Sequence, residues 1–144
     1  MDKKLFNKSL EELENDFWEI TEFPTALIEK CYYARKKMLK DLSPEDLRIL
    51  TTQSIGLKYI IPLCLEVLQK DILIDSSFYK GDLLESVLKL PSSFWKEDNN
   101  FILWKQYIKL VESKKDYISN ACDVNSEIKN DILKAYLNFE QIFF

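Results

Sequence analysis

From Leu57 to Leu68 the chain sets Leu57, Ile60, Ile61, Cys64, Leu65 and Leu68 at helical spacing, and Leu63 and Val67 widen the stripe. A helix apolar over this much of its circumference belongs at the centre of a bundle. Pro62 lies inside it and demands either a kink or a place in the first turn. The same period recurs along the chain. Leu10, Leu13, Phe17 and Ile20 mark a first helix, opened by Ser9 and Glu12 as a capping box. Leu27, Cys31, Ala34 and Met38 mark a second, entered at Pro24-Thr25. Leu47, Leu50 and Ser54 share a face of the third. Ser43 is its N-cap, Pro44 its first residue, and Glu45 and Asp46 fill its first turn. After the central helix, Leu83, Leu84, Val87 and Leu88 face inward on a fifth, capped by Asp82 and ended by Pro91-Ser92-Ser93. Phe101, Trp104, Ile108 and Val111 make a sixth, capped by Asn99 or Asn100. Ile128, Ile132, Ala135, Tyr136, Phe139 and Phe143 make the last, capped by Asn125 or Ser126.

Two glycines and four prolines in 144 residues are too few for the tight turns of a sandwich or barrel. The connections are short, and no internal repeat or domain-sized linker interrupts them. The expectation is an all-α, single-domain bundle of six to seven helices over residues 1–144. The apolar chain end, Phe139, Ile142, Phe143 and Phe144, is expected to pack on the core.

The absent chemistry is informative. There is no His, which removes Ser-His and Cys-His nucleophiles and His-containing metal sites. Cys31, Cys64 and Cys122 are odd in number, lack ligand spacing and read as reduced thiols. The two glycines stand too far apart for a phosphate loop. No catalytic residue, metal or cofactor is predicted. A net charge of −4 and a pI near 5.0 argue against nucleic acid and anionic membrane as partners. No signal-length apolar run follows Met1-Asp2-Lys3-Lys4, and no segment has the apolar length of a membrane helix, so the chain reads as cytoplasmic. Lys outnumbers Arg 18 to 2, which reads as a coding bias.

Two regions are candidate interaction sites. Between Ser9 and Glu29 stand seven acids and no Lys or Arg. Glu11, Glu14, Glu19 and Glu22, with Trp18 among them, form a candidate docking face for a basic protein: acids to steer the encounter, an aromatic to anchor it. The loop from Phe78 to Asp82, with Tyr79 in it and Asp75 just before it, forms the second. Arg48, Gln53 and Asp82 sit among apolar residues and read as a partly buried network pinning the third helix to the fifth. Arg48 pairs with Asp82 or with the first turn of another helix, and Gln53 serves backbone groups of the fourth helix. Gly56 punctuates the chain, and Gly81 supplies a backbone shape other residues resist.

The succession from Leu42 to Leu90 runs through Ser43-Pro44, Arg48, Gln53, Gly56 and Pro62 to Tyr79-Lys80-Gly81-Asp82-Leu83-Leu84. It resembles the immunity proteins of bacterial contact-dependent growth inhibition systems, over roughly a third of the chain at motif level. After Pro91 no motif of that family is found. The resemblance implies a non-enzymatic antidote that binds the C-terminal toxin domain of a secreted effector, often a nuclease with a basic substrate surface. Two other classes fit the residues alone: a helical adaptor that holds a partner peptide beside the fourth helix, and a hydrolase working through carboxylates and a metal.

Overall fold

The computed structural model describes residues 3–97 and 99–144; Met1 and Asp2, where the search for an export signal begins, lie outside them. Eight α-helices follow in order: α1 (Leu10–Glu14), α2 (Ala26–Lys36), α3 (Pro44–Thr52), α4 (Leu57–Lys70), α5 (Asp82–Leu88), α6 (Ser92–Trp95), α7 (Asn100–Asn120) and α8 (Ser126–Glu140). Two short 3-10 turns, Lys3–Asn7 and Leu39–Asp41, precede α1 and α3. Among the described residues there is no sheet, only isolated bridges between Ser9 and Met38 and between Asp75 and Lys80. The all-α reading therefore holds. The helix beyond the expected seven is α6. Pro91 does end α5, but it also opens a new turn that carries Phe94 and Trp95 into the core.

Capping chemistry sets the helix starts. Ser43 Oγ accepts from the Asp46 N–H while the Asp46 carboxylate accepts from the Ser43 N–H, so α3 begins with a closed capping box. Ser9 and Glu12 do the same for α1. Thr25 caps α2, and Asn125 caps α8 by accepting from the Glu127 N–H. Asp82 is not the cap of α5. Gly81 takes that place in left-handed backbone at φ 92°, where a Cβ would meet Ile132, and Asp82 becomes the first helical residue.

The first helix is shorter than its apolar spacing predicts. It stops at Glu14, Asn15 turns left-handed, and Phe17 is exposed. Glu14 stands in the last turn, where the dipole disfavours an anion, with no base beside it, and Asn15 closes the helix in left-handed backbone with its N–H bonded to the Glu11 and Glu12 carbonyls. Met38 likewise falls beyond α2 and is exposed, and Ser54 lies beyond α3 with positive φ. Leu27, placed on the buried face of α2, is 41% exposed.

α3 packs against α2, α4 and α5, and α5 packs in turn on α8. α4 touches α3, α5 and α7 and buries Ile60, Ile61, Leu63, Cys64, Leu65 and Leu68. Pro62 is the sixth residue of α4, past its first turn, and the helix runs on through it. The missing N–H deprives the carbonyl of Lys58, an exposed residue, of its intrahelical donor. Gly56 precedes α4 at φ 62°, pressed against Leu10. An aromatic cluster joins the C-terminal helices to this core. Trp95 meets Phe94, Tyr107 and Phe139 edge-on, and the Trp104 indole donates to the Phe139 carbonyl at 3.0 Å. The Tyr107 hydroxyl donates to the Ile61 carbonyl at 2.7 Å.

The three cysteines are free thiols; Cys31 and Cys64 are buried and Cys122 is exposed. Burial pushes the Cys64 thiol up to about 12. At the chain end, Phe139 is buried and Phe143 packs on Phe101 and Trp104, but Phe144 is 92% exposed and does not join the core. Deleting Phe144 alone is expected to change stability by less than about 0.5 kcal/mol, read by urea denaturation. A larger loss would mean that the last ring is covered in solution.

Candidate functional site

Two irregular segments, residues 15–25 and 71–81, interrupt the helices, and each is held by one of the chain's two arginines. Both arginines are buried: Arg35 is 1% exposed and Arg48 7%. Lysines serve the surface, while the buried positions that need a planar, stackable cation carry Arg. The Lys excess thus has a structural complement that a coding bias does not explain.

The first clamp belongs to α2. Arg35 Nη2 donates to the Asp16 carbonyl at 2.7 Å and lies 3.6 Å from the carboxylates of Glu14 and Asp16. Its guanidinium stacks 4.4 Å from the centre of the Trp18 ring. One residue on, Lys36 pairs with Glu11 at 3.1 Å, and this hydrogen bond raises the Lys36 ammonium above its ordinary value. Farther along the segment, Phe23 packs edge-on against Tyr32 of α2 and beside Tyr33, which is 52% exposed.

The second clamp joins α3 to α5. The Arg48 guanidinium is 3.6 Å from the Asp82 carboxylate, both side chains buried. Asp82 also accepts from the Ser76 N–H at 2.8 Å and the Phe78 N–H at 3.1 Å, so one carboxylate fixes the loop backbone. The Phe78 ring lies 4.0 Å over the guanidinium with 71% of the residue exposed. Tyr79 donates to Glu85 at 2.7 Å; burial, and then the Glu85 carboxylate, push its phenol up to about 12. Lys80 pairs with Asp123, tying the loop to the link before α8. Beneath Phe78 opens a cleft of about 370 Å³ between α3 and α5.

The two clamps meet at one edge. Lys30 of α2 bonds Glu45 of α3 at 3.0 Å and holds its carboxyl below the usual range, with the Ser77 hydroxyl of the loop adding to the effect. Both irregular segments thus flank the α2–α3 pair.

The acids expected to form one docking face fall into different environments. Glu11 is buried in its pair with Lys36, and Glu14 leans on Arg35. Glu19 and Glu22 are exposed and make no ion pair among the described residues; Trp18 is half-buried. Asp75 is exposed, with its carboxylate accepting from the Ser77 N–H. Gln53 does not reach the fourth helix. It is the exposed C-cap of α3, its own N–H bonded to the Ile49 and Thr51 carbonyls. Arg35 has no site role in the sequence reading, Glu45 enters it only as a first-turn acid, and Phe78 enters it as the start of the Phe78 to Asp82 loop. The rarity of Arg is the signal that finds the first. Among the described residues no cluster of acids and cysteines is placed to hold a metal ion, and no helix is long and apolar enough to cross a membrane.

A family model for the CDI immunity proteins matches residues 4–103, a stretch that contains both clamps and all of α1 to α6. The chain belongs to this family. No curated protein and no solved structure matches it. Membership in the CDI immunity proteins gives the chain its general task, the neutralisation of a toxin by binding. The family match ends early in α7, so the rest of α7 and α8 lie outside it.

Proposed function

We propose that this immunity protein binds a basic toxin domain, a nuclease, and blocks it in the cytoplasm of the cell that makes both. The observation that carries the reading is the family match over residues 4–103. It favours the antidote over a helical adaptor or a carboxylate hydrolase. Inhibition is by occupancy and needs no catalysis, metal or cofactor. The whole chain, residues 1–144, acts as one unit, because α8 packs on α5 and completes the core that the matched region begins.

Charge supports a basic partner, and neither nucleic acid nor membrane. The net charge is −4, and the exposed carboxylates of Glu19 and Glu22 have no ion-pair partner among the described residues and lie close in sequence to the half-exposed Trp18. Unpaired surface acids cost little in the free protein and attract a basic surface over about a Debye length. Glu14, Glu19, Glu22 and Trp18 on one segment, and Asp75 and Tyr79 on the other, are the proposed contacts. Glu11, consumed by Lys36, supports the segment from below.

Replacing Glu19 and Glu22 together by Lys is expected to slow association with the cognate toxin about three- to tenfold at low salt, and to flatten its salt dependence. The melting temperature should hold, since exposed charges contribute little to stability. Stopped-flow association at two ionic strengths reads both effects. An unchanged rate would move the encounter surface to the 71–81 loop.

A further inference from the structure

We infer that the cleft beneath Phe78 is a socket for a neutral amide of the toxin, a carboxamide side chain or a backbone peptide group; this rests on the antidote reading above. The starting observation is an unsatisfied cation. The Arg48 side chain is 8% exposed, its Nε is buried without a hydrogen-bond partner, and its guanidinium makes no hydrogen bond among the described residues. Asp82 balances its charge from 3.6 Å but spends its oxygens on the Ser76 and Phe78 N–H groups. Nε is sealed against Asp82, so the donors left for an acceptor arriving through the cleft are the Nη groups of the same guanidinium.

The rest of the cleft narrows the chemistry. Arg48 and Asp82 cancel, and Lys89 pairs with Glu85 at 3.2 Å, so the lining carries no net charge and gives no preference to an ion. The hydroxyls of Thr52 and Ser86 donate to the Ile49 and Asp82 carbonyls, at 3.0 and 2.8 Å, which leaves their lone pairs free to accept. One strong donor beside hydroxyl acceptors complements a group that has both a carbonyl and an N–H. At about 370 Å³ the cleft has room for one side chain or a tight turn of backbone. Phe78 gives the socket an apolar rim held in place by the same arginine, the arrangement expected of an interface anchor.

The test uses the purified cognate toxin domain and two readouts. Thr52 is exposed and lines the cleft, so Thr52→Trp fills it without touching the core. That variant should bind the toxin domain about tenfold more weakly or worse, with an unchanged melting temperature. In nitrogen-15 spectra of the wild type only two arginine Nε–H signals exist. The Arg48 signal should shift and exchange more slowly with solvent in the complex. Phe78→Ala, at an exposed position, should weaken binding as well. Wild-type affinity in Thr52→Trp, or an Arg48 signal unmoved by a toxin that binds, overturns the socket and leaves the antidote reading standing. A wild-type chain that fails to bind that toxin overturns both.

Discussion

Arg48→Ala is expected to destabilise the protein by roughly 2–4 kcal/mol. The truncation leaves the Asp82 carboxylate buried without its cationic partner and facing a void, while its two loop N–H groups stay bonded. Because Arg48 and Asp82 are both shielded from water, solvent does not screen the loss. At this chain length the melting temperature should fall by roughly 10 °C. The pair itself need not be stabilising relative to a neutral one. Arg48→Met combined with Asp82→Asn removes both charges at similar volume and should recover most of the loss. Thermal unfolding of the two single variants and the double completes the cycle. A double variant as unstable as the sum of the singles would show that packing, not charge, holds α3 to α5.

The same pair shows what the sequence makes legible. An arginine on an apolar helix face and an aspartate at the next helix start are visible as a polar pair in apolar company, because a buried charge must find a partner. Which helix each belongs to follows from spacing alone. The bundle is readable for the same reason: the stripes of α3, α4, α5 and α8 are complete, and burial has no other use for them. Legibility ends where a long-range contact decides. Phe17 and Ile20 keep helical spacing with Leu10, yet the chain leaves the helix at a left-handed Asn15, and Arg35, 19 residues beyond Asp16, captures the Asp16 carbonyl. The environments of the N-terminal acids are hidden from the sequence in the same way. Seven acids without a base look like an open face only until α2 folds back and spends Lys36 and Arg35 on Glu11, Glu14 and Asp16. Gln53 misled because its neighbours are buried while the α3 C-cap itself faces water.

Arg35 is therefore the more informative residue to remove. Arg35→Ala should cost roughly 2–3 kcal/mol, from the hydrogen bond to the Asp16 carbonyl and the packing of a fully buried side chain. The ion pairs to Glu14 and Asp16 add little, because those carboxylates are open to solvent. The larger consequence is local. Without the guanidinium, Trp18 loses its platform and residues 15–25 lose the clamp that fixes them to α2. Limited proteolysis should then cut within that segment at protease concentrations that leave the wild type intact. Trp95 and Trp104 are buried, so a red shift in tryptophan emission would report Trp18. Arg35→Lys should resemble Ala in this respect, because a lysine ammonium does not reproduce the planar stack together with the carbonyl bond. Toxin binding separates this variant from the charge reversal of Glu19 and Glu22. Reversal slows the encounter, whereas a loosened segment must be re-ordered in the complex and mainly speeds dissociation. If proteolysis and emission change while toxin dissociation does not, the 15–25 segment lies outside the interface, and the Phe78 loop carries the binding.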